Sequence, residues 1–180
     1  MECVVLGWPP NGPSLRLDYQ QFAYAGKFVM TNTGKAVIRC PDRETASEED
    51  IIAAAAFNAD RTDDSVLWIR YITVTDTLRG NGLGPRLCRF IADQAQSHGY
   101  VRIRIAVNNP FAFEALYKAG FGWTGETTGI AELILERPVP RREDAYREGL
   151  EKFRERELSQ TEQTFIDRKY TDGPPEVDHS

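Results

Sequence analysis

The chemistry this sequence could do is concentrated in Arg79-Gly80-Asn81-Gly82-Leu83-Gly84, followed at once by Pro85. Glycines at alternate positions let a backbone turn tightly and approach a ligand with no Cβ atoms in the way. A helix that starts directly after such a turn has first-turn N–H groups without partners inside the helix. Those donors, with the positive end of the helix dipole, hold anions. Arg79 adds a full positive charge at the edge. The chemistry is therefore binding of a phosphate or a diphosphate. Two other phosphate loops fail on spacing. A GxxxxGK[ST] loop needs a Lys-Ser/Thr pair that is absent, and a GxGxxG fingerprint needs glycine where Pro85 stands.

The groups that could move a proton are few: Tyr117, Asp76, Glu126, Glu132, His98 and His179. His98 ends the helix expected after the glycine turn, and His179 lies in the tail. Asp76, just before the turn, reads as a turn cap. Cys3, Cys40 and Cys88 are widely separated and form no CxxC. That spacing predicts reduced thiols, with neither a disulfide framework nor a metal site.

A strand must lead into the turn and a helix must leave it. Val66–Thr75 is rich in β-branched and aromatic residues and predicts a central strand. Over Pro85–His98, Leu87, Cys88, Ile91 and Ala95 share one helical face, Pro85 suits the first turn and Gly99 ends it. Val101, Ile103, Ile105 and Val107 alternate, predicting a strand over Tyr100–Val107. Pro110–Ala119 reads as a second helix closed by Gly120, and Phe121–Thr124 with Ile130–Glu136 as a final strand pair. This order is α/β with an antiparallel end, its two helix-linked strands parallel neighbours.

The first 60 residues are less regular. Leu15–Tyr19 alternates like a short strand. Lys27–Met30 and Lys35–Arg39 flank Thr31-Asn32-Thr33-Gly34, which reads as a hairpin turn. Residues 41–50 read as a charged loop. Ser47-Glu48-Glu49-Asp50 resembles a helix N-cap, and the alanines at 53–56 favour helix locally, while the apolar run Ile51–Phe57 also fits a buried strand.

Composition sets the outer bounds. The chain has 180 residues, 41% hydrophobic and 27% charged, which suits one globular domain. The net charge of −5 argues against nucleic-acid or acidic membrane partners but permits small anionic ligands at a local site. The longest apolar run is too short to span a bilayer and no leader pattern opens the chain, so the expected location is cytoplasmic. After Pro138-Val139-Pro140 the sequence becomes densely charged. Tyr146, Leu150, Phe153 and Glu157 leave one narrow stripe on a helix, and Asp172-Gly173-Pro174-Pro175 reads as a frayed end. The expected division is 1–137 as the main domain and 138–180 as a charged helical extension.

Val74-Thr75-Asp76-Thr77-Leu78-Arg79-Gly80-Asn81-Gly82-Leu83-Gly84 resembles the first motif of the GNAT N-acetyltransferases, with Arg79, Gly82 and Gly84 in its defining places. Asn109-Pro110-Phe111-Ala112, then Gly120-Phe121, resembles the downstream Asn-x-x-Ala…Gly-Phe motif. The resemblance covers about residues 35–137. It implies a splayed mixed β-sheet flanked by helices, and it favours a strand for Ile51–Phe57. It further implies acetyl-CoA as co-substrate. The backbone of Ile72, Thr73 and Val74 would pair with the pantetheine arm. Arg79, Gly80, Asn81, Gly82, Leu83, Gly84 and Pro85 would hold the diphosphate, and Asn109 would contact the pantetheine. The implied activity is direct attack of an amine on the thioester.

Two departures from that pattern matter. Many relatives carry a tyrosine proton donor four residues before Gly-Phe; Leu116 stands there, and Tyr117 comes one residue, or about 100° of helix, later. Tyr117 is thus the catalytic candidate, with packing as its alternative role. The stretch Gln20–Met30 is too short for the two helices that shape the family's acceptor pocket. The acceptor side must be more open, or be completed by the tail or by a second copy in a homodimer. Glu126 and Glu132 are candidate bases. Arg70, Arg102 and Arg104 either gather on one sheet face for an acidic acceptor or pair with neighbouring acids, and Trp68, Trp123 and Phe121 read as core. A small-molecule or peptide amine is the expected acceptor. A CoA-binding sensor that has lost catalysis is the alternative.

Overall fold

The computed structural model describes residues 1–40, 50–129 and 132–179. Among the described residues it contains seven strands and four α-helices, the α/β class with a mixed sheet and flanking helices that the sequence implies. The chain divides into two compact units, Met1–Ile103 and Arg104–Ser180.

In the first unit the strand order is β1 (Glu2–Gly7), β2 (Gly34–Arg39), β3 (Ile51–Ala59), β4 (Val66–Val74), each antiparallel to the next. The strand β1 carries no pattern that the sequence reading used. β3 settles the ambiguity of Ile51–Phe57 in favour of strand. Ala53–Ala56 and Phe57 are fully buried between two paired neighbours, so ladder bonds and burial outweigh alanine's helical preference. The charged loop and helix cap expected over residues 41–49 lie outside the described residues.

α1 (Leu83–Ser97) buries Leu83, Leu87, Cys88, Ile91, Ala92 and Ala95, the face expected from the spacing. Burial pushes the Cys88 thiol up to about 12, so it stays a neutral packing group.

Two early expectations are corrected. Leu15–Tyr19 is not a strand; Leu15 drops into a cluster with Phe22, Ala25, Phe28, Val37, Ala54 and Ala56, and Tyr71 packs against it. The hairpin around residues 31–34 does not form either. Ala25–Val29 is a 3-10 turn, and the loop that follows is tied to the Lys35 side chain of β2. That ammonium is buried and donates to Met30 O at 2.6 Å, Thr33 O at 3.0 Å and Thr33 Oγ1 at 2.6 Å. The lysine supplies the turn closure that a paired strand would have supplied.

The second unit holds most of β5 (Arg102–Val107), then α2 (Pro110–Lys118), β6 (Gly122–Thr127), β7 (Leu133–Arg137), α3 (Glu143–Arg154) and α4 (Gln160–Asp172). Its strand order is β5-β7-β6. The charged extension is part of this unit. Tyr146, Leu150 and Phe153 of the narrow stripe are fully buried, as is Ile166 of α4. The approach is close: a Cβ on Gly149 would lie 2.5 Å from Phe113 Cζ. The extension forms two helices where one was expected, because a capping box starts α4. Ser159 Oγ accepts from Glu162 N–H and the Glu162 carboxylate accepts from Ser159 N–H. The end read as frayed is tied back, with Asp178 N–H donating to Lys118 O at 2.7 Å.

Candidate functional site

The glycine turn lies where the sequence put it, between β4 and α1. A short 3-10 turn, Asp76–Leu78, leads from the strand into it. Gly80 and Gly82 have φ of +82° and +76°, a left-handed conformation that other L-residues adopt at a cost. Among the described residues nothing beyond the adjoining chain lies within 4 Å of where a Cβ would stand on either. Gly82 is the residue before the first turn of α1, and no side chain caps that helix start. Its first-turn N–H groups are therefore available to an anion. Asn81 Nδ2 donates to Leu78 O at 2.9 Å and holds the turn in shape. Arg79 pairs with Asp76, Nη2 to Oδ1 at 2.8 Å. Asp76 is thus an ion-pair partner, an acid in the first turn of the short 3-10 helix.

β4 carries Ile72, Thr73 and Val74 opposite Ala55, Ala54 and Ala53. The ladder shifts between Tyr71 and Ile69, leaving Arg70 as an extra residue, a bulge that bends the strand just before this segment. The positions of Ile72 and Val74 next to Gly84 show that their side chains face α1. Thr73 therefore faces the other way, and its buried Oγ1 has no hydrogen-bond partner among the described residues.

The remaining candidates belong to the second unit. Asn109 caps α2: Oδ1 accepts from Ala112 N–H at 2.8 Å, and Nδ2 donates to Asn108 Oδ1 at 3.2 Å. Tyr117 is fully buried among Phe113, Tyr146 and the Arg141 guanidinium. Its hydroxyl oxygen accepts from Trp123 N–H at 2.9 Å. Burial pushes its pKa up, and the Trp123 bond and the Arg141 charge offset part of that rise. The phenol keeps its proton across the physiological range. Leu116, at the position relatives give to tyrosine, is also buried.

The arginines are engaged one by one. Arg70 donates to Asn58 Oδ1 and lies over Trp68; Arg102 feels the charge of Asp63; Arg104 pairs with Glu136 at 2.7 Å and Glu126 at 3.6 Å. Glu126 is accordingly a pairing residue. Glu132 precedes β7, and its N–H donates to Thr128 Oγ1. His98 stacks on Trp8, ring centroids 4.0 Å apart. Among the described residues no cluster of three or more His, Cys, Asp or Glu could hold a metal.

Sequence reasoning missed one buried polar set. Tyr146 Oη donates to Glu114 Oε2 in a short hydrogen bond, and Lys169 Nζ lies 3.5 Å from Glu114 Oε1. Three helices meet there, and no local spacing could have joined residues so far apart. The Asp76–Arg79 pair, by contrast, stands at i, i+3 and was readable.

The fold is α/β, with an uncapped helix start behind a glycine turn that an anion could approach. The chain is more specific than that: residues 10–122 match the model of the acetyltransferase (GNAT) family, and the protein belongs to it. No curated protein matches the chain. Among solved structures it is similar to the GCN5-related N-acetyltransferase from Kribbella flavida, at 23% identity over 59% of this chain and 68% of that one, TM-score 0.47. It is also similar to an N-acetyltransferase from Staphylococcus aureus Mu50, at 16% identity, 58% and 66% coverage and TM-score 0.46. A Bacillus subtilis acetyltransferase in complex with CoA matches at 17% identity, 58% and 75% coverage and TM-score 0.46.

Proposed function

We propose that this chain is an acetyl-CoA-dependent N-acetyltransferase acting on a primary amine, either a small molecule or a peptide. The observation that carries the proposal is the glycine turn: two left-handed glycines, an open approach and an uncapped helix start in a chain of the GNAT family. In this proposal the N–H groups of residues 79–84 hold the diphosphate beside Pro85. The backbone of Ile72, Thr73 and Val74 pairs with the pantetheine arm, and Asn109 lies along it.

The amine lone pair attacks the thioester carbonyl carbon, the C–S bond breaks, and the sulfur leaves with the electron pair. One proton must reach that sulfur and one must leave the ammonium. Tyr117 is the proposed donor, since it holds its proton; solvent takes the ammonium proton and returns one to the tyrosinate. Holding the two reactants in line supplies most of the acceleration. The chain is proposed to work in the cytoplasm, which its free cysteines support. Among the described residues no helix is long and apolar enough to cross a membrane.

A second function has one observation in its favour. Tyr117 is buried and bonded within its own unit, which suits a CoA-binding sensor without turnover. Two measurements test the pair. Calorimetry with acetyl-CoA should show binding under both. Thiol release across a panel of amines should appear only for the enzyme, and tight binding with no release for any amine rejects the proposal in favour of the sensor.

A further inference from the structure

The charge that should greet a diphosphate is already occupied. Arg79 and Asp76 face each other at 2.8 Å with both side chains 54% exposed. Local geometry rather than burial holds them together. Asp76 N–H donates to Gln21 O at 3.0 Å, Leu78 N–H donates to Thr75 O at 2.9 Å, and Asn81 Nδ2 anchors the far side on Leu78 O. The carboxylate therefore sits on a fixed 3-10 turn at the mouth of the glycine turn.

The geometry points to Asp76 as a built-in counter-anion that sets the affinity for coenzyme A. This rests on the diphosphate lying over residues 79–84. Before binding, Asp76 neutralises Arg79. On binding, Arg79 must exchange the carboxylate for a phosphate oxygen, and Asp76 stays behind as a like charge a few ångströms from a dianion. The exchange itself is easy, because an exposed pair is weak. The residual repulsion is what lowers affinity, by about 5-fold for charges several ångströms apart in water. Weaker holding of the carrier also speeds its departure, which matters where product release limits turnover.

The test is calorimetric binding of coenzyme A to the full chain and to Asp76→Asn, Arg79→Gln and the double variant. Asp76→Asn should bind about 5-fold more tightly. In the Arg79→Gln background the same change should gain about as much, since the repulsion acts on the diphosphate itself. S-acetylpantetheine, which lacks the diphosphate, should bind the unaltered chain and Asp76→Asn equally. A gain that disappears in the Arg79→Gln background, a gain with S-acetylpantetheine, or no gain at all overturns the assignment. Failure of the unaltered chain to bind coenzyme A is a separate result, and it removes the site and this inference together. Melting curves of the four proteins check that each remains folded.

Discussion

At Gly82 a single backbone angle carries the anion site. With φ at +76°, a β-branched residue there is strained by about 1–2 kcal/mol, and its Cβ would enter the open approach to the turn. Gly82→Val should loosen coenzyme A binding at least about 10-fold while the helical circular dichroism is retained; unchanged affinity would remove the diphosphate from this turn. Tyr117→Phe separates two roles. Trp123 N–H loses its acceptor, so the variant should be less stable by about 1–2 kcal/mol in denaturant unfolding whatever the chemistry. If the phenol also protonates the leaving sulfur, thiol release should fall about 10²-fold. A variant that loses only stability assigns Tyr117 to packing. Asp60 gives a pH signature. Trp68 Nε1–H, with the N–H and hydroxyl of Thr62, holds its carboxyl down at about 2, below the ordinary carboxylate value. A depressed folded pKa means that the unfolded chain binds the proton more readily. The contribution is therefore complete above the ordinary carboxylate range and is lost as pH falls towards about 2. Asp60→Asn should flatten that acid limb in thermal melts, and an unaltered limb would show that the turn is held by other bonds.

Elements were legible where their pattern was local. α1 follows from four spaced apolar residues, and Pro110 and Gly120 bracket α2. β3 was not legible from its alanines, because what makes it a strand is two partners that no short window contains. The segment before β2 failed for a related reason: its closure depends on one buried ammonium, Lys35, and not on a turn type. The glycine turn was visible in the sequence, whereas the Glu114 set was not, since Tyr146 and Lys169 reach it from α3 and α4. That set ties three helices through a buried carboxylate. Tyr146→Phe removes a donor and leaves Glu114 with the more distant lysine, so it should destabilise by about 1–3 kcal/mol. Gly149→Ala should lose a similar amount by overpacking against Phe113. Denaturant unfolding of both variants measures these losses, and a change below about 0.5 kcal/mol in Tyr146→Phe would mean that the tie contributes little.

At the scale of the whole molecule, the family match ends at residue 122, yet the second unit continues to the end of the chain. Residues 138–180 looked like an addition because their charge density is high and their apolar stripe narrow. The apolar members of the stripe are used: Tyr146, Leu150 and Phe153 are fully buried, as is Ile166 of α4, while Glu157, beyond the end of α3, is exposed. They pack where α2 and β6 would otherwise present Phe113 and Trp123 to water. Arg141 adds polar ties, donating to Tyr117 O at 2.8 Å, to Phe121 O at 3.3 Å and to Pro175 O at 3.2 Å. A chain stopped after Arg137 loses four buried side chains, each worth about 1.5–3 kcal/mol of burial, against a typical total stability of about 5–15 kcal/mol. Such a chain should lose the cooperative folding of residues 104–137, seen as amide protons there that exchange without protection while the full chain protects them. Equal protection in the shortened chain would show that the extension decorates a unit able to fold without it.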